Sequence, residues 1–333
     1  MILETERLLL RPWTEDDAEE CYRYAKDPRV GPAAGWPVHT DIENTRQVIR
    51  DILSAPETFA VVLKETGLPV GSVGLHHNDL ARSADEAELG YWIGVPYWGR
   101  GLIPEASREM LRHAFEDLEL ERVWCGHYEG NGRSARVQEK LGFRYMWTSD
   151  DIPVPELGIT RRGVRRCMTR QEWTEAVRTV ATYVPRIQDL WFRQLMLEDP
   201  DTMSYNHAWG GTIPFPQSEW EKWFACWLPD PPDPRHYYRY LADGTGRFLG
   251  EIAYHYASPT QTWMADVIVY APHRGRGIGG RGLDLLCRAA AENGVEVLYD
   301  DIAADNPAAA LFLAHGFAEE YRTDSILMLS KRL

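Results

Sequence analysis

The sequence predicts an α/β protein built from two similar domains in tandem, and three observations lead to this. The chain has 333 residues, more than one typical hydrophobic core accommodates. The segment PYWGRG at residues 96–101 recurs as PHRGRG at residues 272–277. Strand-like and helix-like runs surround both copies in the same order. We expect a first domain over residues 1–175 and a second over residues 176–333.

Local signals place the elements of the first copy. Thr14 with Asp17 begins a helix over DDAEECYRYAKD, and Asp41 precedes a second helix over IENTRQVIRDIL. Strands are predicted over TFAVVLK, PVGSVGLHH and ELGYWIGV. The remaining elements are a helix from Pro104 through Phe115, a strand ERVWCGHY, a helix SARVQEKL, and strands around residues 143–148 and 163–168.

The second copy gives the same order. It runs through FRQLML, an aromatic stretch ending at Trp227, HYYRYL, FLGEIAYHY, ADVIVY, a helix LDLLCRAAAENG, VEVLYDD, AAALFLAH and ILMLSKRL. GSVGLHH in the first copy matches GEIAYHY in the second, which aligns His76 with His255. Both are candidates for a shared base, although a strand histidine is more often structural. Between the copies, TRQEWTEAVRTVA predicts a helical connector that Thr169 and Glu172 open with a capping box.

Composition excludes several classes of protein. A net charge of -14 opposes binding to nucleic acid and suits a cationic substrate such as an amine, or simply keeps the protein in solution. The five cysteines are far apart and have no metal-ligand spacing, so we expect a reduced, cytoplasmic protein without a metal site. Cys125 and Cys287 are expected to be buried structural residues. The charged N-terminal run and the lack of a long apolar stretch predict neither a signal peptide nor a membrane span.

The glycine-rich stretch HRGRGIGGRG admits two interpretations. Gly275, Gly277 and Gly280 spell GxGxxG, and Asp300 follows at about the distance that a dinucleotide-binding fold requires. Against that fold, APHR separates the preceding strand from the first glycine, and too little chain remains for a doubly wound sheet. The first copy, GRGLIP, also lacks the third glycine. A glycine loop at a helix N-terminus binds phosphate in other folds as well, because its N–H groups are free and the helix end is positive.

At this point the sequence resembles the GNAT superfamily of acyl-CoA-dependent N-acyltransferases. HRGRGIGG fits the pyrophosphate loop of that family, Q/R-x-x-G-x-G/A, through Arg274, Gly277 and Gly279. Residues 1–175 resemble the Rim-type subgroup, which acetylates ribosomal-protein N-termini, through ETERLLLRPW, ELGYWIGVPYWGRGLIPEA and NGRSARVQEKLGF. The resemblance implies two tandem domains, each a mixed, centrally splayed β-sheet flanked by helices.

The resemblance also implies a donor and the residues that bind it. The donor would be acetyl-CoA or another acyl-CoA, and the strands near residues 93–95 and 267–269 would pair with its pantetheine arm. Trp98 stands where Q/R is usual, and Phe312 lies near the position at which many members have a tyrosine general acid. The residues expected to bind the cofactor are Ile93, Val95, Arg100, Gly101, Asn131, Ser134, Val267, Val269, Arg274, Gly275, Arg276, Gly277, Gly279 and Asn306.

The chemistry requires a base. An amine of pKa near 10.4 must lose a proton before it attacks a thioester, which costs about 4–5 kcal/mol at pH 7. Glu86 and Glu88 lie on one face of the strand that enters the first loop. The Rim-type resemblance favours an acid on this strand. Glu86 is equally well explained as a solvated carboxylate, and that explanation fits Glu88 less well. Glu251 and Asp266 are acids inside apolar runs of the second copy, so we expect Glu88, Glu251 and Asp266 to be catalytic.

Aromatic residues suggest where the acceptor binds. Trp220, Trp223 and Trp227 follow helical spacing and are expected to pack in the core, whereas Tyr205 and Trp209 are expected to line the acceptor site. We expect acetyl transfer to a primary amine, on a small molecule or a peptide, by direct attack in a ternary complex. Three alternatives stay open: tailoring of an antibiotic or peptide with one copy degenerate, a CoA-binding scaffold without turnover, and an NAD-dependent protein. The chain is compatible with a monomer or a homodimer.

Overall fold

The computed structural model describes residues 1–333 as two compact units, unit 1 over Met1–Val177 and unit 2 over Arg178–Leu333. Each unit contains one mixed β-sheet with helices on its faces, so the predicted fold class is confirmed. None of the helices has the length and apolar character that a bilayer crossing requires.

Unit 1 has an eight-stranded sheet in the order β1-β2-β3-β4-β5-β6-β8-β7. Only β5 and β6 run parallel. The strands are β1 (Leu3–Glu4), β2 (Leu8–Arg11), β3 (Thr58–Leu63), β4 (Pro69–His76), β5 (Glu86–Ile93), β6 (Arg122–Tyr128), β7 (Arg144–Val154) and β8 (Ile159–Thr169). The helices are α1 (Ala18–Ala25), α2 (Gly31–Ala34), α3 (Ile42–Val48), α4 (Leu102–Arg112), α5 (Gly132–Lys140) and α6 (Arg170–Arg178).

Unit 2 has a seven-stranded sheet in the order β14-β15-β13-β12-β11-β10-β9, in which only β12 and β13 run parallel. The strands are β9 (Ala181–Tyr183), β10 (His236–Ala242), β11 (Phe248–Ala257), β12 (Thr262–Val269), β13 (Val297–Ala303), β14 (Ala318–Arg322) and β15 (Ile326–Arg332). The helices are α7 (Trp191–Glu198), α8 (Trp220–Trp227), α9 (Ile278–Glu292) and α10 (Ala309–Ala314), with a 3-10 helix over Thr202–Trp209 after α7.

Two local predictions are confirmed in atomic detail. The Thr169 N–H donates to Glu172 Oε2 at 2.8 Å and the Glu172 N–H donates to Thr169 Oγ1 at 3.2 Å, which is the reciprocal capping box at the start of α6. Trp220, Trp223 and Trp227 all lie on α8 and pack against the aromatic core of unit 2, where Trp223 meets Tyr238 edge-on at 4.7 Å.

The helix predicted from Pro104 to Phe115 starts earlier and ends differently. It begins at Leu102 and passes into a π-helical turn over His113–Asp117. The wider turn places the buried His113 ring between two carboxylates, with Nδ1 2.8 Å from Asp117 and Nε2 2.8 Å from Glu57. Sequence periodicity cannot predict this turn, because Glu57, which binds the His113 ring, lies far away in the chain.

Close approach of neighbouring strands fixes one glycine in each sheet. A Cβ on Gly71 would lie 2.3 Å from the Trp92 carbonyl oxygen, and a Cβ on Gly250 would lie 2.2 Å from the Ile268 carbonyl oxygen. Both contacts are with backbone, which cannot move aside without distorting the strand pair. The two units therefore share a tight contact between the strand that enters each loop and its antiparallel neighbour.

We expect Gly250→Ala to destabilise unit 2 by about 1–3 kcal/mol, the usual cost of overpacking. Urea unfolding followed by tryptophan fluorescence would show a lower midpoint for one transition. Gly132→Ala is the control, since a Cβ there meets only the Arg136 side chain at 3.6 Å. Equal midpoints for Gly250→Ala and wild type would contradict the contact.

Candidate active site

The parallel strand pair of each unit separates partway along its length. In unit 1 the pairing of β5 with β6 stops at Glu88↔Trp124, although β5 continues to Ile93 and β6 to Tyr128. In unit 2 the pairing of β12 with β13 stops at Met264↔Tyr299. We call the spaces beyond these pairs the first gap and the second gap. They are the central splay that the family resemblance implies.

Backbone N–H groups face each gap. The Gly94 N–H donates away from the gap to the Val70 carbonyl at 2.9 Å, and N–H groups alternate sides along a strand. The N–H groups of Ile93 and Tyr91 therefore point toward β6. In unit 2 the Tyr270 N–H donates to the Leu249 carbonyl at 3.0 Å, on the side away from the gap. By the same alternation, the N–H groups of Val269 and Val267 point toward β13. An acyl-pantetheine arm that lies in a gap would find donors there.

Val95 does not belong to this set. The strand β5 ends at Ile93, and Val95 begins a 3-10 turn over Val95–Tyr97. Pro96 at the start of that turn has no N–H and cannot continue a ladder. An offset of 176 residues, from Gly101 to Gly277, aligns Val267 with Tyr91 rather than with Val95, which corrects the prediction.

The two glycine loops have the same conformation. Gly99 and Gly101 have φ of 79° and 77°, and the aligned Gly275 and Gly277 have φ of 77° and 74°. No atom lies within 4 Å of a Cβ built on Gly99, Gly275 or Gly277, and only the Arg7 guanidinium approaches that of Gly101, at 3.6 Å. Each loop is thus an open cradle, followed at once by the N-terminus of α4 or α9. This arrangement fits a pyrophosphate.

The other two glycines of the second loop serve helix packing. Gly279 and Gly280 lie inside α9, where their Cβ positions would be 3.1 Å from Leu311 and 2.7 Å from His315. Their small size lets α10 approach α9. The GxGxxG pattern therefore does not indicate a dinucleotide-binding fold. That fold requires a mostly parallel sheet, whereas this sheet has a single parallel strand pair.

Trp98 and Arg274 occupy aligned positions and make the same hydrogen bond. Trp98 Nε1 donates to the Ile93 carbonyl at 3.1 Å, and Arg274 Nε donates to the Val269 carbonyl at 3.2 Å. Each bond ties the loop to the last residue of the strand before it. Tryptophan can therefore replace arginine here, because the position requires a donor rather than a charge.

Arg274 has a different role from the predicted phosphate contact. Its Nη1 donates to the Asp201 carbonyl at 2.9 Å and its Nη2 to the Thr202 carbonyl at 2.5 Å, so all three nitrogens bind backbone oxygens. The Ala271 N–H adds a bond to Thr202 Oγ1 at 3.0 Å. Arg274 thus anchors the loop to the 3-10 helix over Thr202–Trp209. Arg276 in unit 2 and Arg100 in unit 1, each between the two left-handed glycines of its loop, are exposed.

In unit 1 the loop is anchored by the N-terminal segment, which the sequence reasoning missed. Arg7 Nε donates to Glu105 Oε2 at 2.7 Å, and Arg7 Nη1 donates to the Arg100 carbonyl at 3.0 Å. Thr5 Oγ1 also donates to Glu105, which is buried in the first turn of α4. The segment ETER belongs to a family motif, but no local sequence pattern indicates that Glu105 is its hydrogen-bond partner.

The predicted CoA-flanking residues cap the turns after β6 and β13. Asn131 Oδ1 accepts from the Ser134 N–H at 3.2 Å, and Asn306 Oδ1 accepts from the Ala308 N–H at 2.9 Å. Ser134 Oγ lies 2.9 Å from the Tyr91 hydroxyl, so a side chain of β5 reaches α5. Burial raises the pKa of Tyr91 well above its ordinary value. The first gap is thus bordered by a hydrogen-bonded phenol.

Glu88 lies where the first gap opens. It belongs to the last β5–β6 pair, opposite His76 on β4, and its side chain is about a fifth exposed. Asn78 donates to one carboxylate oxygen and Arg165 lies 3.7 Å from the other. Desolvation lowers the pKa of His76, an effect that Glu88 opposes. Glu86 is held instead by Arg122 and the Trp124 indole.

The matching position in unit 2 carries no carboxylate. The offset of 176 residues aligns Glu88 with Met264, which faces His255 on β11. The acid is two residues further on: Asp266 lies 3.7 Å from His255 Nδ1, and the Trp227 ring lies 5.7 Å from the His255 ring. The Asp266 carboxylate raises the pKa of His255 despite desolvation. Unit 2 therefore has a histidine–aspartate pair where unit 1 has Glu88.

Glu251 is placed differently from the other predicted acids. It is buried, accepts from the Arg193 guanidinium and from the Tyr238 hydroxyl, and so joins α7 to β10 and β11. Arg193 in turn lies over the Trp223 ring at 4.6 Å. A base must gain a proton, and a proton on Glu251 would break this buried ion pair. The geometry favours a structural role over the predicted catalytic one.

The two aromatic residues predicted to line the acceptor site both lie on the 3-10 helix over Thr202–Trp209. Tyr205 packs against the aromatic core of unit 2, and burial raises its pKa. Trp209 is instead 45% exposed and lies before the left-handed residues Gly210 and Gly211. Only Tyr205 packs against the core of unit 2.

We expect Arg7→Met to weaken acetyl-CoA binding by unit 1 about ten-fold, the effect of losing one hydrogen bond to a charged group. The loop loses its tie to the first turn of α4, and the cradle loses the guanidinium that lies 3.6 Å from the Gly101 Cβ position. Calorimetric titration would measure the affinity, with circular dichroism to show that the variant is folded. Arg29→Met, which removes only an exposed pair with Asp27, is the control. An unchanged affinity would refute the anchoring role.

We expect Asp266→Asn to lower the pKa of His255, because Asp266 is the main cause of its rise. NMR titration of the imidazole C–H signals would measure this. Asp301→Asn should have a smaller effect, since Asp301 contributes less. Because folding raises the pKa of His255, the pair stabilises unit 2 fully at pH values below the ordinary histidine pKa. This stabilisation is lost as the pH rises through the raised pKa of His255. A His255 signal that Asp266→Asn leaves unmoved would overturn the pairing.

Comparison with known proteins agrees with this geometry. The family model "Acetyltransferase (GNAT) domain" matches residues 7–144, and the model "Acetyltransferase (GNAT) family" matches residues 197–317. The chain is 30% identical over 147 residues to the "Uncharacterized N-acetyltransferase p20" of Bacillus licheniformis, covering 43% of this chain and 82% of that protein.

Two further relatives cover different shares of the chain. The chain is 41% identical over 73 residues to the "Putative ribosomal N-acetyltransferase YdaF" of Bacillus subtilis, covering 22% of this chain and 39% of that protein. A GNAT-family acetyltransferase structure from Bacillus anthracis is similar with a TM-score of 0.47 and 24% identity, covering 52% of this chain and 100% of that one. The matches to both halves, together with p20, show that this chain belongs to the GNAT acetyltransferase family and carries one GNAT domain in each unit.

Proposed function

We propose that the protein transfers an acetyl group from acetyl-CoA to a primary amine by direct attack of the amine on the thioester in a ternary complex. One observation carries the proposal. In both units a strand that separates from its parallel neighbour leads through a 3-10 turn and two left-handed glycines into a helix N-terminus. That assembly offers N–H donors to an acyl-pantetheine arm and, at its end, a cradle for a pyrophosphate.

Named groups of the chain would hold the donor. The N–H groups of Tyr91 and Ile93 in unit 1, and of Val267 and Val269 in unit 2, would bind the arm and polarise the thioester carbonyl. The exposed Arg100 and Arg276 would add charge beside the two cradles. Asn131, Ser134 and Asn306 would border the arm where the next helix begins, and their capping bonds are compatible with that role.

The amine would be deprotonated by different side chains in the two units. In unit 1 Glu88 lies at the opening of the gap, accepts from Asn78 and forms a 3.7 Å ion pair with Arg165. In unit 2 Asp266 with His255 lies at the same edge of the sheet, and Tyr205 provides part of the acceptor wall. Since Met264 replaces Glu88, we propose that the units accept different amines rather than duplicating one reaction.

The same replacement supports a second candidate function. A unit that lost its original base could bind acetyl-CoA without turning it over and act as a regulatory or structural partner of the active unit. Met264 in place of Glu88 is the observation that favours this alternative for unit 2. The two candidates differ in whether unit 2 releases thiol when an amine is present.

Gly101→Asp and Gly277→Asp test the proposal one unit at a time. A carboxylate in the open cradle repels the pyrophosphate, and aspartate tolerates a left-handed φ better than most residues. Calorimetric titration of acetyl-CoA should find two sites in the wild type and lose one with each substitution. Amine-dependent release of free thiol should fall in parallel.

Gly158→Asp and Gly294→Asp are matched controls, since both glycines are left-handed with no atom near their Cβ positions and lie outside the loops. Both controls should keep two sites. No binding of acetyl-CoA by the wild type would refute the proposal. Two sites with thiol release that only Gly101→Asp abolishes would favour the second candidate function.

A further inference from the structure

The two units can be compared position by position because their strands share a register. The last parallel pairs, Glu88↔Trp124 and Met264↔Tyr299, align β6 with β13. The next residue of β6 is Cys125 and the next residue of β13 is Asp300. Each is thus the first residue past the point at which its strand leaves its parallel neighbour.

A side chain at this position reaches across the gap. Cys125 Sγ lies 3.3 Å from the Leu89 carbonyl oxygen, so the thiol donates to the backbone of the opposite strand. Cys125 is buried, and burial raises its pKa to about 12. The position in unit 1 therefore holds a neutral proton donor that faces β5.

In unit 2 the same position holds a carboxyl group. Asp300 is only 7% exposed, and its carboxyl makes neither a hydrogen bond nor an ion pair. Burial raises the pKa of Asp300 well above its ordinary value, and the charges of Asp266 and Asp301 raise it further. An unpaired carboxylate is costly to bury, so burial favours the protonated form of this group.

Two positions that could carry a phenol at the gap have none in unit 2. Phe312 lies on α10 near the position of the tyrosine acid in many GNAT proteins, and it is a core residue without a hydroxyl. Val267 stands where unit 1 has the Tyr91 phenol. Asp300 is the buried acidic side chain on β13 directly past the last parallel pair.

We propose that Asp300 is the general acid of unit 2 and gives its proton to the thiolate sulfur that leaves during acetyl transfer. This assignment rests on the proposed function of unit 2 and deepens it. The amine nitrogen forms a bond to the acetyl carbon, the carbon–sulfur bond breaks, and its electron pair goes to sulfur. Asp300 protonates the sulfur and the base takes one proton from the nitrogen; the base then releases that proton to solvent and Asp300 regains one from solvent. Amine and thioester thus become amide and thiol.

The protonation state is tested first and without any activity measurement. The infrared spectrum of the apoprotein at neutral pH should contain a C=O stretch of a protonated carboxyl group that disappears in Asp300→Asn. Asp324→Asn, a change of the same kind in an exposed turn of the same unit, should keep the band. A wild-type spectrum without this band, or one that Asp300→Asn leaves unchanged, overturns the proposal.

The role in transfer is tested with acetyl-CoA and an amine, with Gly101→Asp in every variant so that unit 2 alone reacts. Asp300→Asn should lower kcat by about 10- to 100-fold, the lower part of the range for general acid–base catalysis because a thiolate leaves readily. The Kd of acetyl-CoA should stay within about two-fold, since no binding group changes. Asp300→Cys, which copies unit 1, provides a second variant if the first fails to fold.

The outcomes separate this inference from the proposed function. If the Gly101→Asp parent releases no thiol with any amine, the proposed function of unit 2 fails and the acid role fails with it. If the parent releases thiol and both Asp300 variants leave kcat unchanged, only the role of Asp300 is overturned. A fall in kcat accompanied by an equal loss of acetyl-CoA affinity also overturns it, since that result describes a structural residue.

Discussion

The interrupted parallel ladder is the constraint on which the rest of each unit depends. Two strands that stop pairing inside a sheet leave backbone donors and acceptors without partners, and such groups are costly when buried. In both units the freed groups face a gap that ends at a helix N-terminus with an open glycine cradle. The sheet thus forgoes several hydrogen bonds, and an extended acyl-pantetheine ligand could restore them. Family membership and sheet geometry point to the same site.

The two units share backbone geometry and differ in chemistry. The glycine conformations, the 3-10 turns and the tight contacts of Gly71 and Gly250 coincide almost residue by residue. The side chains around the gaps do not, because Met264 replaces Glu88 and Asp300 replaces Cys125. Under the proposed function, the shared backbone features would bind a common donor, and the side chains around the gap would differ with the acceptor. This pattern is what two specialised sites on one repeated scaffold would show.

Sequence reasoning predicted the features that have local signals. The α/β elements, the capping box of Thr169 and Glu172 and the tryptophans of α8 depend on residues close together in the chain, whereas the splay of the sheets was implied by the family resemblance. It has less to work from where the deciding partner is distant or the face is unknown. Spacing cannot show Arg193 beside Glu251, and that buried ion pair favours a structural role for Glu251. The alignment of Asp300 with Cys125 requires the strand register, which a dinucleotide pattern does not contain.

The hydrogen bonds of Arg274 differ from the role that its place in the family pattern suggests. The pattern Q/R-x-x-G-x-G suggests a cation for the phosphate, yet the guanidinium of Arg274 binds three backbone carbonyls and the aligned Trp98 makes one of the same bonds without any charge. What the position conserves between the units is a donor that closes the loop onto its strand. The negative charge of a bound pyrophosphate must then be met chiefly by the backbone N–H groups and the helix dipole, with the exposed Arg100 and Arg276 as adjuncts.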